Sequence, residues 1–184
     1  MYVPRTCLLS LIFVLLGPVI TWAAPFPGMA SSALSEVSDR FFNSDKGFHV
    51  SGQEANWRVS IDAEDSFTLA RLQPREPKFE DDVPTLTLRL DKLEEVTSIE
   101  NYARRWMRDF PNYGFEITSS RRFKHSDNDA ILIDLRHTRN ERHLRQVIFT
   151  KDEKAVILTC SGDKRGLSAV LADCNKIIRS FRWL

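Results

Sequence analysis

The sequence contains few glycines and prolines, and its net charge is close to zero. Seven glycines and eight prolines among 184 residues exclude a collagen-like or low-complexity chain. The 26 basic and 25 acidic residues leave a formal net charge of +1, which excludes a uniformly basic nucleic-acid binder. What remains is an ordinary globular composition, 42% hydrophobic and 28% charged. The length suits one domain with short appendages.

Motifs that carry chemistry are also missing. The sequence has no Gly-x-Ser-x-Gly and no glycine-rich phosphate loop, which mark many hydrolases and nucleotide-binding proteins. The four histidines lack the spacing of metal ligands; they are His49, His125, His137 and His143. Strand alternation places the last two on opposite faces of one hairpin. We therefore predict no catalytic, cofactor-binding or metal-binding residue.

Long apolar runs are absent except at the start of the chain. Residues 7–20 carry no charge, Arg5 precedes them, and the small residues Ala23 and Ala24 follow. This pattern predicts a secretory signal peptide over residues 1–23. The alternative is an uncleaved anchor, although the run is shorter than the roughly 20 residues that span a bilayer. We expect export to the periplasm or full secretion, with no membrane span after cleavage.

The predicted mature chain begins with a flexible lead over residues 24–32, followed by a single domain over residues 33–184. It retains two of the three cysteines, Cys160 and Cys174. An even number of cysteines in an exported protein favours a disulfide, which would stabilise the fold by about 3 kcal/mol. The alternative is a pair of buried, unreactive thiols.

Two apolar stripes predict helices. The first helix opens at a match to a capping box, Thr97-Ser98-Ile99-Glu100. Its stripe comprises Ile99, Tyr102, Ala103, Trp106, Met107 and Phe110. The stripe of the second helix comprises Leu167, Val170, Leu171, Cys174, Ile177, Ile178 and Phe181. Stripes with this spacing are typical of helices that pack on a sheet.

Alternating segments predict strands at residues 47–50, 57–61, 67–72, 85–90, 115–119, 130–137, 142–150 and 154–160. Short turns make the last three antiparallel neighbours. Alternation divides these strands into two faces. One face carries Leu132, Val147, Phe149, Val156, Leu158 and Cys160, and the other carries Ile131, Ile133, Leu135, Leu144, Gln146, Ile148, Ala155 and Ile157. Both faces are apolar, so both need a cover. The last helix must fold back over the face of Cys160, and the helix around Trp106 covers the opposite face. The predicted fold is α+β, an α/β/α sandwich around a central, mainly antiparallel sheet.

Three segments carry a family resemblance. They are Trp57-Arg58-Val59, Val156-Ile157-Leu158-Thr159-Cys160-Ser161 and Cys174-Asn175-Lys176-Ile177-Ile178-Arg179-Ser180-Phe181. Together with the order of strands and helices over about residues 47–183, they resemble the PsbP-like or Mog-type fold and bacterial exported proteins of the DcrB and LpqN type. The resemblance implies a non-enzymatic role as an accessory or exported protein, and it supplies no catalytic residue.

Charge is distributed unevenly along the chain. Residues 32–100 carry 8 basic and 15 acidic residues, whereas residues 101–184 carry 17 and 10. Net charges of −7 and +7 indicate charged partners, unless the two halves neutralise each other and the charges only solvate the surface. Arginine suits bidentate contacts with carboxylate or phosphate. The possible binding face comprises Arg121, Arg122, Arg136, Arg139, Arg142 and Arg145, with Asp134 expected opposite the last of them.

The leading interpretation is an exported, non-catalytic protein that binds or supports another envelope protein, or an anionic surface, through this basic face. The alternative is a small-ligand or anionic-lipid binding protein with a cleft between the sheet and its helical cover. An extracytoplasmic hydrolase is the least favoured function. Neither a cofactor nor a nucleic-acid partner is expected.

Overall fold

The computed structural model describes residues 41–60, 68–78 and 83–184. The predicted signal peptide and flexible lead lie outside the described residues, as do the first eight positions of the predicted domain. Within the described ranges the chain forms ten strands and two α-helices. They are β1 (Phe41–Ser44), β2 (Phe48–Ser51), β3 (Trp57–Ser60), β4 (Thr68–Pro74), β5 (Thr85–Lys92), α1 (Ile99–Arg108), β6 (Phe115–His125), β7 (Asn128–His137), β8 (Arg142–Lys151), β9 (Lys154–Asp163), α2 (Lys164–Ser180) and β10 (Arg182–Trp183).

The main sheet has seven antiparallel strands in the order β3-β4-β5-β9-β8-β7-β6. The tight turns after β7 and β8 make these strands neighbours, as predicted. Strand β6 is longer than predicted, because a bulge between Ile117 and Ser119 restores its register and pairing with β7 continues to His125. The α+β fold with a mainly antiparallel sheet is confirmed.

Helix α2 covers one face of the sheet, as predicted. Its buried residues share a core with Leu132, Val147, Phe149, Val156 and Leu158, which alternation had assigned to one face. Cys160 in β9 and Cys174 in α2 are both fully buried there and form a disulfide with a Cα–Cα distance of 6.4 Å. The bond joins helix and sheet across a short connection, which confirms the predicted pairing.

Helix α1 lies on the opposite face. Ile99, Tyr102 and Ala103 pack with Ile131 and Ile133 of β7, so the stripe packs on the face that was predicted. The predicted capping box is one residue too early. Ser98 is the N-cap, and its Oγ accepts a hydrogen bond from the Asn101 backbone nitrogen at 3.2 Å. No helix in the described part of the chain is long and apolar enough to cross a membrane.

A small second sheet was not predicted. Strands β1, β2 and β10 pair in the order β1-β2-β10, and the last two residues of this sheet come from the extreme end of the chain. Phe48 and Val50 of β2 join the α2-side core, where Phe48 lies 5.8 Å from Phe181 between ring centroids. The small sheet therefore extends the cover that α2 provides.

Candidate functional site

The structure divides the six predicted arginines between the two faces of the main sheet. Arg145 lies on the α2 side, where its Nη1 donates to Asn175 Oδ1 at 3.2 Å. Arg121 is on the same side, because it pairs with Leu132 of the α2-side core. Arg136 is also on this side by its alternation in β7.

The other three arginines lie elsewhere. Arg122 points to the α1 side and forms an ion pair with Glu100 in the first turn of α1. Arg142 is also on the α1 side, with its Nη2 3.5 Å from Ser161 Oγ. Arg139 is in the exposed turn between β7 and β8. Successive strand residues point to opposite faces, so neighbouring arginines in one strand cannot form one surface, and the six do not share a face.

Three of the six predicted arginines form ion pairs within the fold. Arg145 donates two hydrogen bonds to Asp134, at 2.7 and 3.0 Å, which confirms the expected contact. Arg136 pairs with Glu116 at 2.7 Å, and Arg122 also pairs with Asp129 at 2.5 Å. Burial pushes the pKa of Asp134 upward, but the hydrogen bonds and charge of Arg145 outweigh it and hold that pKa below its ordinary value. These arginines already have carboxylate partners within the fold.

Helix α1 covers only part of its face of the sheet. It packs on β7 and β8, and one row of paired residues shows where the cover ends. The row runs from Ile133 in β7 through Gln146, Thr159 and Thr87 to Arg71 in β4. Its apolar end lies beneath α1 and the rest is polar. The prediction that this helix covers the face is therefore correct for β7 and β8 and too broad for β4 and β5.

An open groove of about 980 Å³ follows this boundary between α1 and β5. Polar contacts organise its floor. Arg89 Nε and Tyr102 Oη each donate to Asp91 at 2.6 Å. The guanidinium of Arg89 lies 4.9 Å from the Trp106 ring centroid, and Trp106 Nε1 donates to Gln146 Oε1 at 2.9 Å. The floor is thus a continuous network in which each side chain fixes the orientation of the next.

Tyr102 ties this floor to the core. Burial, followed by its hydrogen bond to Asp91, raises the pKa of Tyr102 far above its ordinary value. We expect Tyr102→Phe to lower the free energy of unfolding by about 1.5 kcal/mol, because a hydrogen bond to a carboxylate is lost. Tyr113→Phe, at a side chain that is 70% exposed, should leave stability unchanged in urea unfolding. Equal effects of the two substitutions would contradict a structured floor.

Charged residues of both signs line the groove at each end. Lys92, Glu94 and Glu95 lie at the end formed by β5 and the loop before α1. Towards the carboxyl end of α1 the lining includes Arg105, Arg108 and Asp109, with Arg108 Nε 3.4 Å from Asp109 Oδ1, followed by Phe110 and the exposed ring of Tyr113. An occupant with an acidic group near Arg105 would match this arrangement.

The fold that builds this groove occurs in other proteins. No family model and no curated protein matches the sequence, but solved structures do. The cyanobacterial PsbP (CyanoP) of Synechocystis superposes with a TM-score of 0.56 at 12% identity, covering 78% of this chain and 91% of that one. The chain has a PsbP-like fold. The fold prediction is confirmed.

Two further structures share the PsbP-like fold. PA94, a Pseudomonas aeruginosa protein of unknown function, matches with a TM-score of 0.55 at 12% identity, over 76% of this chain and 93% of that one. LpqN of Mycobacterium tuberculosis, described as involved in cell envelope biogenesis, matches with a TM-score of 0.53 at 12% identity, over 68% and 77%. None of the three is named as an enzyme. Such low identity supports the fold alone.

The described part of this PsbP-like fold contains no group of three or more His, Cys, Asp or Glu residues that could hold a metal ion. Its two cysteines are joined in the disulfide and offer no thiolate. The groove presents charged, hydrogen-bonding and aromatic side chains.

Sequence reasoning raised a cleft between the sheet and its helical cover only as an alternative and assigned no residue to it, although one signal for its position was present. In β5 the residues Leu86 and Leu88 alternate with Thr85, Thr87 and Arg89. A strand that is polar on one side is not covered there by an apolar helix stripe. That alternation could have shown that this part of the sheet is open on the α1 side. Trp106 was assigned only to the core stripe.

Proposed function

We propose that this protein is an exported, non-catalytic accessory factor that binds an acidic segment of another envelope component in the groove beside α1. The predicted signal peptide over residues 1–23 and the disulfide support export, since disulfides persist in oxidising compartments. The observation that carries the binding proposal is the groove itself, an open cleft with a preorganised polar floor and arginines at one end. Preorganisation lowers the entropic cost of binding.

The basic surface of this proposal differs from the six-arginine face. It comprises Arg105 and Arg108 on α1, which line the groove. Arg142, the member of the predicted set on the groove side of β8, is not among the lining residues. Arg89 and Arg108 contribute less than Arg105, because Asp91 lies 2.6 Å from Arg89 and Asp109 lies 3.4 Å from Arg108. The acidic segment of the partner therefore contacts the groove beside Arg105, towards the carboxyl end of α1.

A site-specific photo-crosslinker tests where the partner binds. Placed at Tyr113, which is 70% exposed beside the groove, it should capture a partner in native envelopes. The matched control is the same group at Leu184, which is 72% exposed and lies at the end of the small sheet. The same product from both positions, or none from Tyr113, counts against the groove.

Charge reversal tests the electrostatic part of the proposal. Arg105→Glu places a negative charge in the lining of the groove, and we expect the yield of the Tyr113 crosslink to fall at least about tenfold, since a like-charge contact replaces an attractive one. Arg121→Glu is the matched control, because Arg121 is an exposed arginine on the opposite face of the same sheet. Equal losses from both variants would show that overall charge, and not the groove, governs binding.

A second candidate function is small-ligand or anionic-lipid binding. Trp106, Phe110 and Tyr113 give the groove an aromatic wall, and its volume of about 980 Å³ lies within the range of small-molecule sites, roughly 300–1,000 Å³. Thermal unfolding in the presence of a panel of lipids and metabolites tests this function. A ligand that raises the Tm of the wild type but not of Trp106→Ala supports it, whereas a flat panel removes it.

A further inference from the structure

A second concavity lies on the opposite side of the molecule, where the end of α2 meets the small sheet. Its volume is about 600 Å³. Four elements line it: β2, the 3₁₀ helix Gln53–Ala55, the last turns of α2 and β10. The lining residues are His49, Ser51, Gln53, Glu54, Lys176, Arg179, Ser180 and Arg182. None of them belongs to the predicted arginine face or to the groove beside α1.

Hydrogen bonds hold the walls of this concavity together. Ser180 Oγ accepts from the Ser51 backbone nitrogen at 2.8 Å and donates to the Ile177 carbonyl oxygen at 2.6 Å. Strand β2 is thereby fixed to the end of α2. On the other wall, Arg182 pairs directly with His49 across the β10–β2 ladder. The cationic side chains from α2 and β10 are thus held around one space and do not depend on a mobile loop.

Positive charge exceeds negative charge in this lining. The eight lining residues include three cationic side chains, Lys176, Arg179 and Arg182, and one acidic side chain, Glu54. Lys176 also contacts Asp173 at 3.0 Å, one turn back on α2. Burial, followed by the charge of Arg182, lowers the pKa of His49, as expected for a histidine beside a cation. The site is therefore an electropositive concavity whose backbone walls are joined by hydrogen bonds.

We propose that this concavity binds a phosphate group, with Arg179 and Arg182 as its principal contacts. A guanidinium offers donors in a planar fork that matches two oxygens of a phosphate. Two forks from different elements can hold a tetrahedral dianion from two sides, and Lys176 adds a point charge. The phosphate group can belong to free phosphate or to the headgroup of a lipid. The site is independent of the groove, so the two proposals stand or fall separately.

Isothermal titration with inorganic phosphate, at constant ionic strength, measures the site directly. We expect saturable binding, and we expect Arg179→Gln and Arg182→Gln each to weaken it at least about tenfold, because each removes charge-assisted hydrogen bonds. Arg104→Gln is the matched control, an exposed arginine on α1, and it should bind phosphate like the wild type. Absence of saturable binding, or equal weakening in all three variants, overturns the proposal.

The pKa of His49 provides a second measurement of phosphate binding at this site, independent of the calorimetric titration. A bound dianion should raise the pKa of His49, followed by NMR of its ring, because it offsets the field of Arg182. Arg182 from β10 is the cation whose charge acts on His49. Lys176 and Arg179 from α2 and Glu54 from the 3₁₀ helix line the same concavity, and His49 Nδ1 lies 2.6 Å from Asn43 Oδ1 in β1. The rise should disappear in Arg182→Gln. A pKa of His49 that does not respond to saturating phosphate contradicts the proposed position.

Vesicles separate the two sources of the phosphate group. We expect sedimentation with vesicles containing phosphatidic acid, and not with pure phosphatidylcholine, if the group is a lipid headgroup; free phosphate should then compete. Binding of free phosphate without vesicle binding assigns the site to a soluble phosphate. Vesicle binding that is unchanged in Arg179→Gln and Arg182→Gln places the lipid contact elsewhere and overturns the lipid source.

Discussion

Replacing Cys160 and Cys174 together with serine should lower the free energy of unfolding by about 3 kcal/mol. The bond closes a loop with a sequence separation of 14 residues, and this closure restricts the unfolded chain. Both positions are fully buried in the α2-side core, so serine also places hydroxyl groups in an apolar environment. Urea unfolding of the double variant and the wild type measures the difference.

Reductant supplies the control for this prediction. Reduced wild type should lose about 3 kcal/mol, no more than the double variant, whose buried hydroxyl groups add to the loss. The double variant should not respond to reductant at all. A wild type that is equally stable in both redox states would show that the bond contributes nothing. The expected result has a functional consequence, because a fold that depends on this bond is more stable in an oxidising compartment than in the cytosol.

Asp134→Ala should lower the free energy of unfolding by about 3 kcal/mol. Asp134 accepts two hydrogen bonds from Arg145, and the side chain of Arg145 is only 15% exposed. Removing the carboxylate leaves a largely buried guanidinium without its counter-ion, which costs more than the loss of an exposed pair. Urea unfolding at pH 7 checks the value.

Glu116→Ala is the matched control for this ion pair. Glu116 of β6 pairs with Arg136, which lies in β7 like Asp134. Both side chains of this pair are more than half exposed, 53% for Glu116 and 55% for Arg136. Water already screens such a pair, so the expected loss is at most about 0.5 kcal/mol. Similar losses from Asp134→Ala and Glu116→Ala would contradict the importance of burial for this pair.

The ion pair between Asp134 and Arg145 also predicts how stability changes at low pH. The pKa of Asp134 is lower in the folded protein than its ordinary value of 3.8. A carboxyl group with a lowered pKa stabilises the fold above its ordinary pKa, and the contribution is lost as the pH falls through the folded value. The stability difference between wild type and Asp134→Ala should therefore be full at pH 7 and shrink below about pH 4. A difference that is constant across this range would show that proton binding to Asp134 is not involved.

The face assignments were the most predictable part of this protein. Alternation in β7, β8 and β9 placed Leu132 and Val147 on one side and Ile131 and Ile148 on the other, and the two cores of the structure follow that division. This was possible because side-chain direction in a strand is a local property with a period of two. The pairing of β7 with β8 and of β8 with β9 was also predictable, because a short turn between two strands is a local feature.

The extent of helical cover was much less predictable. The stripe on α1 indicates that Trp106 faces the sheet, but it does not indicate how many strands lie beneath a helix of ten residues. Strand order decides that, since β5 enters the sheet beside β9 and carries Arg89 to the edge of the helix. Pairings between distant segments leave only weak signals in a single sequence.

The sequence by itself determined the class of this protein: two apolar helix stripes, strands with two apolar faces, and two cysteines placed to join the last strand to the last helix. Those features are local, set by residues a few positions apart. Only the tertiary structure decided the candidate binding surfaces. It separated Arg121 from Arg122 onto opposite faces, left the groove beside α1 uncovered, and brought His49 next to Arg182. The reason is that a binding surface is assembled from residues far apart in the chain, and the order of the strands determines which of them meet.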